Sequence, residues 1–341
     1  MRLIIVACFM AACLSCQGNE DTPAPREATL DVVATPLVAT VPGVFQMDIS
    51  TGETRELAVP STYDPTVLSP DGARLAYGRA VTLLIVDLEG GQREVDRASA
   101  GATPTDWSSD GERMLVVGGE GLTELNVTTN TITALLDGNI NDAVWSPDET
   151  RIAFVKDQRL GVLDLETGRA EVIAPDMTAT YLPNAYRWGD LEWTPDGESI
   201  IFGDWTAQEP VTQGWSQLYE IDADGGAPRQ LTDSPRAKSY LSFSPDGRYL
   251  AYINELENGS RVRILELATA QQLPFDAHQG ISFAPPWFDD EHLITSDGDI
   301  IAWRVDGTSQ LLVKRQGNCY AALFGYARQK IVFSVECSGG N

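Results

Sequence analysis

A closed ring of four-stranded antiparallel sheets, a β-propeller, is the fold class this 341-residue sequence predicts. Three observations predict it. One short strand-turn-strand module recurs down the chain, its copies are spaced like propeller blades, and the two chain ends carry complementary halves of one further copy.

The clearest copy is Phe243-Ser244-Pro245-Asp246-Gly247-Arg248-Tyr249-Leu250-Ala251-Tyr252-Ile253. Ser, Pro, Asp and Gly are what a type I turn favours at successive positions: Pro presets φ, Asp bonds its own backbone, and Gly takes the left-handed position. The following apolar run suits a strand buried on both faces. Equivalent turns follow Leu68, Trp107, Trp145 and Trp193, with weaker copies at Trp287 and Phe324. The intervals between these bulky residues are 39, 38, 48, 50, 44 and 37, around the roughly 40–45 of a four-stranded blade.

Each full copy carries an outer hairpin. Examples are Leu83–Leu88 before Gly90-Gly91, Leu160–Leu165 before Thr167-Gly168, and Leu218–Asp222 before Asp224-Gly225-Gly226. Asp222-Ala223-Asp224-Gly225 is read as a turn, because it lacks the further ligands of a calcium loop. Val44–Ile49 and Thr54–Leu57 form an outer pair with no inner pair, and the last copy, through Val335, is an inner pair with no outer one. Uniting them removes both free sheet edges. That count gives seven blades; six is the alternative if a weak copy is something else.

The predicted organisation is a lipoprotein signal peptide over 1–15, a flexible tether over 16–42 and the propeller over 43–338. Arg2 precedes the apolar run Leu3–Leu14, which is too short for a stable span. The run ends Ala11-Ala12-Cys13-Leu14-Ser15-Cys16. This resembles a bacterial lipoprotein signal, with Cys16 acylated and Cys13 the alternative; an ordinary secretory signal is the competing reading. Lipidation anchors a protein to a membrane without spanning it. The expected location is therefore the periplasmic or extracellular side of the cell envelope. The 17–42 stretch has no apolar period and reads as a tether.

The chain has 24 Lys and Arg against 49 Asp and Glu, a net charge of −25. Such a surface repels nucleic acid and anionic lipid headgroups. Cys319 and Cys337 fall almost opposite each other if Phe324 lies near Ile331, so a disulfide is expected in an oxidising compartment. Only His278 and His292 are present. Both are read as surface residues, His278 in a long connection and His292 solvated in a degenerate turn. There is no nucleophile elbow, His-Glu-x-x-His pair, phosphate-cradling loop or Cys-x-x-Cys pair. No catalytic residue, metal or cofactor is assigned, and the chain is expected not to be an enzyme.

The Ser-Pro-Asp-Gly turns, with Trp or Phe before and Ile-Ala-Phe after, resemble the WD40-like (PD40) repeats of TolB-type propellers and of the propeller domains of prolyl-oligopeptidase-type enzymes. The resemblance implies a propeller over about 44–337 and a binding platform. It also implies that the aromatic residues before each turn pack between blades.

The first and third turns of each blade are short and share one face, while the length variation falls on the other. It comprises 175–192 and 279–286 between blades, 204–214 within one, and shorter excursions at 254–260 and 233–239. Binding residues favour such loops. The candidate face comprises Tyr181, Arg187, Trp188, Trp205, Trp215, Arg236 and Lys238, aromatic residues beside cations. The expected partner is an envelope or extracellular protein. The alternative is glycan binding or glycan chemistry, with Asp190, Glu192, Asp204 and Glu209 as the acids.

Overall fold

The computed structural model describes residues 37–39, 43–57, 66–79, 82–89, 91–96, 103–118, 121–174, 191–204, 217–233, 238–256, 259–279, 284–317 and 319–337. Among these, every regular element is a strand, and the strands form seven small sheets. The architecture is a seven-bladed β-propeller with mostly four-stranded blades. The signal-peptide expectation, with Cys13 and Cys16, lies outside the described residues.

Blade 1 runs from Thr66–Leu68 to Gly91–Asp96, blade 2 from Thr103–Trp107 to Ile132–Asp137, and blade 3 from Ile140–Trp145 to Ala170–Val172. Blade 4 runs from Leu191–Trp193 to Arg229–Gln230, and blade 5 from Lys238–Phe243 to Gln271–Gln272. In blade 5 the outer strand resumes at Ala277–Gln279. The 254–260 excursion is not a loop: Tyr249–Leu256 and Gly259–Glu266 stay paired out to Leu256 opposite Gly259.

Blade 7 closes the ring. Its inner strands are Cys319–Ala327 and Lys330–Cys337, and its outer strands are Gly43–Asp48 and Thr54–Leu57. Gly43 pairs with Val335 and Asp48 with Lys330 in one unbroken antiparallel register. Cys319 lies opposite Cys337, and their sulfurs are bonded.

Blade 6 departs most from the repeat. Its innermost strand is reduced to a bridge between Trp287 and Leu293, because Pro285 and Pro286 have no N–H to give a ladder. The Pro286 carbonyl still accepts from the Ile294 N–H at 2.9 Å. Outside its three remaining strands lies Leu37–Ala39, parallel to Val313–Arg315. The tether expected over 16–42 is corrected here, since its residues 37–39 join a sheet.

The turns follow the repeat chemistry. In Ser69, Ser108, Ser146, Thr194 and Ser244 the hydroxyl donates to the Asp two residues on, at 2.5–2.7 Å. The same oxygen accepts from the backbone N–H five residues on. The Ser146 hydroxyl and the Thr150 N–H hold the Asp148 carboxyl down to about 2.

Neighbouring blades are joined by a repeated two-part contact. The Trp ending an inner strand donates its indole N–H to the preceding blade: Trp107 to Val67 O at 3.2 Å, Trp193 to Val144 O at 3.3 Å and Trp287 to Ser242 O at 3.2 Å. In return, an Arg opening a second strand reaches forward. Arg74 donates to Gly111 O at 2.9 Å, and Arg151 to Gly197 O at 2.8 Å. Arg151 also lies over the Trp193 ring, 4.8 Å from its centroid. Blade 3 has Glu149 where other turns have Gly, at φ +57°. There Arg113 pairs with the Glu149 carboxylate and stacks 5.0 Å from the Trp145 centroid. The apolar core is likewise made of layers between blades, as in Ala76, Leu83, Ile85, Trp107, Met114 and Val116.

Trp145 matches Trp193 in burial and in its Arg contact, but its indole N–H has no acceptor among the described residues. Trp193→Phe removes one buried hydrogen bond to a carbonyl that keeps its ladder partner, worth about 0.5–1.5 kcal/mol; Trp145→Phe removes none among the described residues. Denaturant unfolding is expected to rank Trp193→Phe as the more destabilising by about that amount. Equal losses would show that the indole bond contributes nothing.

Candidate functional site

Of the predicted binding face, Tyr181, Arg187, Trp188, Trp205, Trp215 and Arg236 lie outside the described residues, as do Asp190 and Glu209. Their anchors are described. The segment 175–190 joins the outer edge of blade 3 to the inner strand of blade 4, and 205–216 joins the two middle strands of blade 4. In an antiparallel blade, the strand ends that flank both segments lie on the face opposite the Ser-Pro-Asp turns.

Lys238 is described, and it is not an exposed face residue. It opens the inner strand of blade 5 and is 1% exposed. Burial draws its ammonium down to about 8, against the opposing pull of Asp233. The cause is its position on an innermost strand, where the residue is fully buried despite its charge. Asn254 lies opposite it in register, and in blade 4 the buried Thr232 hydroxyl donates to the buried Gln217 amide oxygen at 2.8 Å. The strand bulges between Ser239 and Ser242, with Tyr240 at φ +55°.

The two carboxyls raised furthest from their ordinary values sit on inner strands of blades 2 and 4, which border the ring axis, with Asp142 of blade 3 acting on both. Asp106 precedes Trp107, Glu192 precedes Trp193, and Asp142 lies three residues before Trp145. Asp106 accepts from its neighbour's N–H, at Trp107, and from Trp145 N–H of blade 3, at 2.8 and 2.9 Å. It therefore ties two inner strands together. Burial nonetheless lifts it to about 7, with Asp142 and Glu149 adding repulsion. Burial also pushes Glu192 well above the ordinary 4.5, with Asp106 and Asp142 reinforcing it. Water reaches both carboxyls only in part, and the surrounding protein outweighs that access.

Sequence reasoning named Glu192 among acids near the long-loop face; it is the middle residue of the three-residue inner strand of blade 4. Asp106 and Asp142 were missed. For Asp106 the signal was available: the residue before the strand-ending Leu, Trp or Phe is Val67, Val144 or Ser242 elsewhere, so a carboxylate there stands out; Asp142 carries no such signal.

The histidines divide. His278 is exposed, but on a strand, with Nδ1 3.7 Å from Asp297. His292 is corrected from solvated to 2% exposed. It opens a strand, its Nδ1 meets Asp289 at 2.7 Å, and its ring stacks on Phe288 at 5.2 Å. The turn is degenerate, but the inward-facing start of the next strand buries the ring. Asp222 accepts from Asp224 N–H at 2.9 Å within its hairpin turn. Among the described residues no group of three or more His, Cys, Asp or Glu is arranged to hold a metal.

No family model matches the chain. In sequence it is 27% identical over 159 residues to the uncharacterised peptidase YuxL of Bacillus subtilis, covering 46% of this chain and 23% of that protein. It is 24% identical over 271 residues to dipeptidyl-peptidase 5 of Porphyromonas gingivalis, covering 60% and 40%. It is 27% identical over 151 residues to a TolB homologue of Chlorobium chlorochromatii, covering 42% and 34%. The matches span less than half the length of these curated relatives. Among solved structures, an oligogalacturonate lyase in complex with manganese superposes with a TM-score of 0.57 at 15% identity, covering 89% of this chain and 99% of that one. TolB from Acinetobacter baumannii superposes at 0.52 and 17%, covering 87% and 77%. The propeller is TolB-like in fold.

These relatives correct the expectation that the chain is not an enzyme. Two are named as peptidases and one structural neighbour is a lyase. The repeat residues build turns and blade contacts, so they carry no information about catalysis, and missing motifs do not exclude it.

The raised carboxyls set a pH dependence. Native Glu192 keeps its proton where the unfolded chain, at about 4.5, has lost it. Its charge therefore lowers stability as pH rises through that window, and the loss persists above it. Glu192→Gln is expected to melt higher than wild type at pH 8, with the gain vanishing near pH 4. A pH-independent offset in thermal melts would contradict this.

Proposed function

We propose that the chain is a protein-binding propeller of the bacterial envelope, acylated at Cys16 or Cys13, that meets its partner through the loops at 175–190 and 205–216. The observation that carries this reading is that the strands flanking both connections end on one face of blades 3 and 4, away from the uniform Ser-Pro-Asp turns. Their sequences hold Tyr181, Arg187, Trp188, Trp205 and Trp215, residue types that dominate binding energy at protein interfaces. Similarity to TolB homologues supports the same reading. The raised carboxyls on the inner strands keep the glycan alternative in view, since such groups suit acid–base chemistry.

Capture from native envelope by the full chain tests this. A defined protein partner is expected, lost with Trp188→Ala plus Trp205→Ala at unchanged melting temperature. Retention on a glycan array without protein capture would favour the alternative. For the anchor, labelled fatty acid is expected to enter the wild-type chain and to be lost from Cys16→Ser or from Cys13→Ser; label in both single variants but not in the double would mean that either cysteine serves. Label in neither chain nor variant would remove the anchor.

A further inference from the structure

Leu37–Ala39 occupies a place that the ring does not require. By the repeat, Ser309–Arg315 is the outer strand of blade 6, and in the other blades nothing described lies beyond the outer strand. Here a further strand pairs with it, Leu37 with Val313, Val38 with Lys314 and Ala39 with Arg315. The pairing is parallel, so it cannot come from a hairpin continuing the blade; a parallel neighbour must be delivered from elsewhere. Ring closure is achieved separately, by the six-residue register of Gly43–Asp48 in blade 7.

The edge is suited to a guest. Ser309–Arg315 is seven residues long, against six for Gly91–Asp96 and Ile132–Asp137, three for Ala170–Val172 and two for Arg229–Gln230. It therefore offers more backbone than Leu37–Ala39 covers. Buried Leu312 and Val313 hold it firmly on the blade. Lys314 and Arg315 are exposed at the paired end, cations on a strongly acidic chain. Strand addition of this kind takes affinity from main-chain bonds and selectivity from alternate side chains.

We propose that the outer edge of blade 6 is a strand-addition site for an extended apolar segment of a partner protein, with an acidic flank toward Lys314 and Arg315, and that Leu37–Ala39 fills it in cis. This rests on the protein-binding reading and names a second contact for it. Residues 40–42 alone separate the cis strand from Gly43–Asp48. So short a link keeps the competitor at an effective concentration on the order of millimolar. A partner must displace it, and doing so frees the chain N-terminal to the ring.

The test uses the full chain and a labelled peptide carrying residues 36–41, read by fluorescence anisotropy. An opened variant, Leu37→Gly with Val38→Pro and Ala39→Gly, is expected to bind the peptide saturably and at least tenfold more tightly than wild type. A locked variant, Val38→Cys with Lys314→Cys, is expected to bind none when oxidised and to match wild type when reduced by a mild reagent that leaves Cys319–Cys337 intact. The opened variant should melt within a few degrees of wild type. A folded opened variant that ignores the peptide overturns the proposal, and so does a large loss of melting temperature, which would make Leu37–Ala39 part of the closure. Either result leaves partner capture through the blade 4 loops intact as a separate finding.

Discussion

The contact between one blade and the next is what the rest of this molecule depends on. A four-stranded sheet has two apolar faces and cannot bury both alone. The Arg reaching forward and the Trp reaching back fix each sheet against its neighbour at a set distance and rotation. The contact also tolerates exchange. Where Glu149 replaces the turn glycine, Arg113 trades a carbonyl for a carboxylate and keeps its place over Trp145. The left-handed backbone at Glu149 is unfavourable for a side-chain-bearing residue, and the ion pair offsets it in a half-buried setting.

The same contact explains why the inner strands hold carboxyls. Asp106 substitutes for a small or apolar residue and uses its two oxygens to bond strands of different blades. That structural service places it beside Asp142 and Glu192, and like charges with little water between them favour protonation. Asp106, lifted to about 7, and Glu192, pushed well above the ordinary carboxylate range, therefore hold their protons longer than exposed acids as a by-product of holding blades together.

Much of the ring was legible in the sequence. The Ser-Pro-Asp turns are local chemistry, and their spacing gives the blade count. The split halves at Val44–Leu57 and Cys319–Val335 announce closure because each lacks what the other has. The opposition of Cys319 to Cys337 follows from the same hairpin register. Other features depend on tertiary context and could not be read. Lys238 carries a charge that predicts exposure, but an inner-strand position overrides it. His292 follows a degraded turn, but its own strand faces inward. Leu37–Ala39 has only three residues and no period, and its partner lies more than 270 positions away. The binding face was read from loop lengths, and the described scaffold fixes only where those loops begin and end.

Blade 7 draws its outer strands from the beginning of the chain and its inner strands from the end. A ribosome or translocon delivers Gly43–Asp48 roughly 290 residues before Lys330–Cys337 exists to receive it. Throughout that interval the early segment is an unsatisfied sheet edge, the kind of surface on which nascent chains aggregate. Assembly of the circle is thus a terminal event in biogenesis, and any truncation near the carboxyl end strands the amino-terminal hairpin as well. A chaperone guarding that hairpin would have to hold it for nearly the whole time of synthesis.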